Sequence, residues 1–97
     1  MEKQTQKQLA MMRGEKIRTI RKEVLHLSRI QFANKYKLSA GTIQNWEDAR
    51  NGGLTEKGAN IIIEIFKNEG INCNLEWLMY DLGNEPLQLK NTHCISR

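Results

Sequence analysis

No stretch of this 97-residue chain is apolar over the length that a helical membrane span needs. The opening MEKQTQKQLAMMRG also lacks the apolar centre of a signal peptide. The expectation is a cytoplasmic protein with no membrane partner. Cysteine is scarce: Cys73 and Cys94 cannot make a disulfide framework in a reducing compartment and read as free thiols. His93 beside Cys94 has no ligand spacing to Cys73, so no metal is expected. With two histidines, no Ser/His/Asp set and no glycine-rich phosphate cradle, the chain offers no catalytic residues. No cofactor, small-molecule substrate or enzyme activity is expected. There is no low-complexity segment and no internal repeat.

What the chain does have is charge, unevenly placed. The formal net charge is +4, but residues 1–37 hold ten Lys/Arg against three Glu, whereas residues 38–97 hold five against eight Asp/Glu. A cationic N-terminal part suits phosphate contacts, and it equally suits a solvated face. The length allows one small domain. The pattern divides it into a flexible extension over 1–12, a helical domain over 13–84 and a tail over 85–97.

The most informative stretch is LSRIQFANKYKLSAGTIQNWE, residues 27–47. Ser28 and Ser39 are good helix N-caps, since their hydroxyls accept from the unpaired N–H groups of a first helical turn. Leu27 and Leu38, each just before a cap, can fold back on the helix that follows. Phe32, Ala33 and Tyr36 give the first helix an apolar side; Ile43, Trp46 and Ala40 do so for the second. The opposite side of the second helix carries Gly41, Thr42, Gln44 and Asn45. Gln and Asn are the side chains that meet adenine through two hydrogen bonds in a major groove. The patterning leaves two readings open, a plain helical hairpin or a DNA-reading pair of helices.

Around this unit the spacing predicts a helix over about 15–25, with Ile17, Ile20, Val24 and Leu25 inside and Arg18, Arg21 and Lys22 outside or at its edges. Thr55 caps a helix with Glu56 in its first turn. The apolar run from Ile61 to Phe66 fills the core, and Gly70 ends that helix. Its N-terminus near Thr55 can also present free N–H groups to a phosphate. Asn74 caps a short last helix carrying Trp77, Leu78, Met79 and Tyr80. The loop after Glu47 contains Arg50 and Asn51, which are either phosphate contacts or ordinary solvated residues.

The 27–47 stretch resembles the helix-turn-helix of the phage repressor and Cro family of transcription regulators, with Leu27, Ser28, Phe32, Ala33, Leu38, Ser39, Thr42, Ile43, Trp46 and Glu47 in register. The segment GINCNLEWLMYDLGNEP resembles that family's closing helix. The resemblance implies an all-α, five-helix lambda-repressor-like domain that binds double-stranded DNA as a homodimer and represses transcription. It implies base contacts from Ala40, Gly41, Gln44 and Asn45, and phosphate contacts from Arg29 and Thr42, to which Arg50 and Asn51 are added. It also implies a structural ion pair from Arg21, or from Lys22, to Glu47. For Trp77 and Leu78 it leaves interior and dimer interface equally open, and it favours the interface for Met79 and Tyr80. Docking geometry for this family is a worked case of helix-turn-helix recognition. Ala40 and Gly41 depart from it by offering no side-chain hydrogen bond, which suits a short site or one read partly by DNA shape. Lys37 departs too, at a turn position usually held by Gly. The same fold also serves antitoxins and adaptors whose main surface meets a protein. Exposed apolar side chains at Met79, Tyr80 or Leu82 would favour that alternative.

Overall fold

The computed structural model describes residues 5–87 and 89 and is all-helical, with no strand among them. Helix α1 (Gln6–Thr19) runs directly into a π-turn over Ile20–Val24. Helices α2 (Arg29–Tyr36), α3 (Ala40–Glu47), α4 (Glu56–Asn68) and α5 (Leu75–Tyr80) follow, with a short 3-10 turn at Arg50–Gly52. Ser28, Ser39, Thr55 and Asn74 cap α2 to α5, each accepting from a backbone N–H three residues on. No helix among the described residues is long and apolar enough to cross a membrane.

Helices of six to eight residues, such as α2, α3 and α5, are too short to persist alone in water, where about 12–15 residues are marginal. Packing therefore holds them. Ile17 from α1, Ile20 from the π-turn, Phe32 from α2, Ile43 from α3, Ile62 and Phe66 from α4, Ile71 and Leu78 are fully buried together. Phe32 stands edge-on to Phe66, with ring centroids 6.3 Å apart. Of the α4 isoleucines, Ile62 is fully inside, Ile63 and Ile65 are partly so, and Ile61 is exposed.

The chain differs from its sequence reading at both ends. Helix α1 begins at Gln6 rather than near Glu15, because Thr5 and Gln8 form a reciprocal capping box. Ala10, within the stretch expected to be flexible, is buried against Gly53. In the stretch read as a tail, Pro86 is buried and Leu89 joins the core. A single apolar side chain needs no periodicity to find a gap. Residues 1–4, 88 and 90–97, including His93 and Cys94, lie outside the described residues.

Two turns fix the middle of the molecule. Lys37 closes α2 in the left-handed region at φ 60°, a conformation costing a non-glycine residue roughly 1–2 kcal/mol. The π-turn bonds the Leu25 N–H to the Ile20 carbonyl at 3.0 Å. It widens the helix by one residue just before α2.

Candidate nucleic-acid interface

Helix α3 has a fixed side and a free side. Residues 43, 46 and 47 repeat at helical spacing, and Ile43, Trp46 and Glu47 are buried. Ala40 and Gly41 are exposed, and Thr42, Gln44 and Asn45 are half-buried. The fixed side is set at very short range. A Cβ added at Gly14 of α1 would stand 2.3 Å from the Glu47 carbonyl oxygen and 2.6 Å from that of Trp46. A Cβ at Gly58 of α4 would stand 2.9 Å from the Trp46 ring. Both glycines let α3 sink into the body of the fold.

The C-terminal end of α3 is tied by charge. The Glu47 side chain is wholly buried, which is costly for a carboxylate unless it is paired and hydrogen-bonded. The Arg21 guanidinium supplies a two-pronged partner, Nε donating to Oε2 at 2.6 Å and Nη2 to Oε1 at 2.8 Å. Arg21 Nη1 also donates to the Leu27 carbonyl at 2.8 Å, tying the entry of α2 to the same group. Arg29 Nε donates to Glu47 Oε1 at 3.0 Å. Arg18 Nε lies 3.6 Å from the same oxygen. Arg21 is therefore inside, not at the helix edge, while Lys22 is exposed. No buried side-chain nitrogen or oxygen among the described residues lacks a partner.

Asp48, the next residue, gathers the outer part of this cluster. Its Oδ1 accepts from Arg18 Nη2 and Arg29 Nη2, both at 2.8 Å. The Arg29 hydrogen bond, with the nearby charges of Arg29, Arg18 and Arg50, holds the Asp48 carboxyl below the usual carboxylate range. For Arg29, burial works against the charge but is outweighed by the bonds to Glu47 and Asp48, so its pKa is raised.

These contacts qualify the residues expected to touch phosphates. Arg29 is committed to two carboxylates within the chain. The Thr42 hydroxyl lies 2.7 Å from that of Ser39. Arg50 and Asn51 are exposed, with Asn51 in a left-handed conformation at φ 52°, and neither side chain has a hydrogen-bond or ion-pair partner among the described residues. On the free side of α3, the Gln44 and Asn45 amides likewise have none. An open cleft of about 770 Å³ between the end of α1 and the start of α2 is lined by Arg18, Arg21, Lys22, His26, Ser28 and Arg29, among others.

The uneven charge of the sequence has a structural use of its own. Lys16 pairs with Asp81 at 2.9 Å and Lys35 with Glu69 at 3.3 Å, while Arg18, Arg21 and Arg29 meet Glu47 and Asp48. Cations of the first part of the chain thus hold carboxylates of the second. Arg18, Asp48 and Gly14 escaped the sequence reading as site-forming residues. A signal for Arg18 existed, since it precedes Arg21 by three residues and so shares its helical face.

The expected dimer face needs correction. Trp77, Leu78 and Met79 are only 5%, 0% and 3% exposed, because α5 packs against both α1 and α4. They fill the interior of the chain. Tyr80 alone of the four is exposed, at 42%, and its hydroxyl donates to Glu56 at 2.9 Å. Among the described residues, no three His, Cys, Asp or Glu side chains gather as a metal site. No protein-family model, no curated protein and no solved structure matches the chain.

Proposed function

We propose that this protein is a sequence-specific double-stranded DNA-binding regulator of the phage repressor and Cro kind. In this reading its fold is lambda-repressor-like, α2 and α3 form the helix-turn-helix, and α3 enters the major groove. The observation that carries the proposal is the pair of unpartnered amides, Gln44 and Asn45, on a helix whose opposite side is locked by Ile43, Trp46 and the Arg21–Glu47 pair. A rigid element with free bidentate groups is what base reading requires. The small Ala40 and Gly41 on the same side are exposed, and their size permits close approach of the backbone to base edges. Arg50 and Asn51 supply phosphate contacts, which add affinity without sequence preference.

Each good bidentate contact discriminates by about 1–3 kcal/mol. Two such side chains per copy are few, which favours a homodimer on half-sites about 34 Å apart or a multiple of that. Selection from a pool of random duplexes tests the reading. A palindromic site is expected to be enriched, and the Gln44→Ala/Asn45→Ala variant is expected to lose the enrichment while keeping weak, salt-sensitive binding. Binding without enrichment, or none, would overturn it.

One observation favours a second reading, a protein-interaction module such as an antitoxin or adaptor. Tyr80 and Leu82 are 42% and 60% exposed, although Met79 is buried. On that reading Tyr80→Ala/Leu82→Ala abolishes partner capture and leaves any duplex binding unchanged.

A further inference from the structure

Resting on the DNA-binding reading above, we infer that Asp48 is a specificity-determining residue that competes with the phosphate backbone for Arg18 and Arg29. The two carboxylates at the end of α3 are not equivalent. Glu47 is wholly buried and gripped by Arg21, whose side chain is 7% exposed. That pair is nearly closed to solution, with only an edge of Arg21 reaching the cleft. The Asp48 side chain is 28% exposed, and the two guanidiniums that share its Oδ1 have side chains 31% and 30% exposed. An ion pair of this kind is weak and screened by salt. A phosphate group presents acceptors of the same geometry to an arginine fork.

Asp48 therefore acts as a stand-in for phosphate that an arriving duplex must displace. Both arginines line the cleft beside Ser28, the N-cap of α2. Lys22 and His26 line it too, and neither has a side-chain partner among the described residues. The cleft has room for a phosphodiester, and the unpaired Lys22 ammonium would attract one. While Asp48 occupies Arg18 and Arg29, with Glu15 also holding Arg18 at 3.0 Å, a duplex of the wrong sequence gains little from them. A duplex that α3 fits holds the chain close enough for both to exchange carboxylate for phosphate. The residue thus lowers sequence-blind affinity and leaves the base contacts of Gln44 and Asn45 to decide.

The test is binding of a labelled duplex of random sequence over a salt series, by the wild-type chain and Asp48→Asn. Each additional phosphate neutralised steepens the plot of log affinity against log salt by about 0.9. With the two plots converging near 1 M salt, where charges are screened within about 3 Å, one extra contact makes Asp48→Asn roughly tenfold tighter at about 0.1 M. The gain should vanish when Arg18→Gln and Arg29→Gln are added, which assigns it to these two side chains. Asp48→Ser gives the same reading if the asparagine disturbs the cluster, and thermal melts confirm that each variant is folded. Duplex binding by the wild type with an unchanged slope and affinity in both Asp48 variants overturns this inference and leaves the DNA-binding reading standing. No binding by any of the chains overturns both.

Discussion

Helices α3 and α5 are both too short to stand alone, and α1 braces both at their C-terminal ends, but by different chemistry. At α5, Arg13 Nε donates to the Met79 carbonyl at 2.8 Å, and the Lys16 ammonium donates to the Trp77 carbonyl. Lys16 also sits 4.4 Å from the centre of the Trp77 ring, and Arg13 lies 5.4 Å from that of Tyr80. The Met79 carbonyl is one that the end of a helix leaves unpaired, whereas that of Trp77 also accepts from the Asp81 N–H; both cations complement the helix dipole. At α3 the cations meet mainly side chains, Glu47 and Asp48, with one longer bond from Arg18 to the Glu47 carbonyl at 3.4 Å. The brace on α5 rests mainly on backbone carbonyls, with the Asp81 carboxylate and the rings of Trp77 and Tyr80 as its side-chain partners. The brace on α3 rests on two adjacent carboxylates, Glu47 at its buried centre and Asp48 at its edge. A helix that is to keep one side free has less surface to bury, and a charged anchor at its end makes up for that.

The comparison breaks most severely at Glu47. Glu47→Ala leaves Arg21 buried without its partner, and removing one member of a buried pair costs about 3–5 kcal/mol. Urea unfolding should show this loss. Replacing both members with apolar residues of similar size should recover most of it, because the desolvation of two charges is then avoided.

Gly14→Ala comes next. The new methyl group would meet the Glu47 and Trp46 carbonyls, which are backbone and cannot swing aside, so a loss of about 1–3 kcal/mol is expected from overpacking. If the brace on α3 is the contact affected, near-ultraviolet circular dichroism of Trp46 changes and that of Trp77 does not. Single-tryptophan variants separate the two.

Lys16→Met keeps the stem over Trp77 and removes the ammonium. A loss of about 1–2 kcal/mol is expected from the charged hydrogen bond to a carbonyl, less than at Glu47 because no buried charge is stranded. An equal loss at the two sites would erase the distinction between backbone and side-chain bracing.

The smallest effect is acid sensitivity. The Arg29 hydrogen bond holds the Asp48 carboxyl low, and the Tyr36 hydroxyl, with Lys35, does so for Glu69. Groups whose folded pKa is depressed contribute stability above the unfolded carboxylate range, about 4. That contribution is lost as pH falls through the depressed values. Melting temperature should therefore hold level from neutrality to about pH 5 and fall below it, and Asp48→Asn should shorten the fall.

Much of the helical order was legible because it is written in caps. Ser28, Ser39, Thr55 and Asn74 each stand before an apolar stripe, and in the structure each accepts from its helix's first turn. The start of α1 was missed because Thr5 and Gln8 cap a segment whose mean character is polar, so no stripe announced it. The burial of Met79 was missed because a six-residue helix between two others is covered on more than one side. The resemblance left Arg21 and Lys22 both open as the partner of Glu47, and the π-turn that keeps Arg21 on Glu47 was not visible in the sequence. For the site, residue types marked the free side of α3. The sharing of Asp48 by Arg18 and Arg29 depends on distances between α1, α2 and α3 that no single stretch encodes.

Cys73 gives the region beside α5 a clock. Its thiol is buried, and burial pushes its pKa up to about 12, against a smaller opposing pull from Lys16. At neutral pH the reactive thiolate is then rare while the fold is closed. Disulfide exchange at this position must wait for the segment between α4 and α5 to open. With Cys94 replaced by Ser, the rate of labelling of the chain counts those openings, a local measure of stability that needs no denaturant.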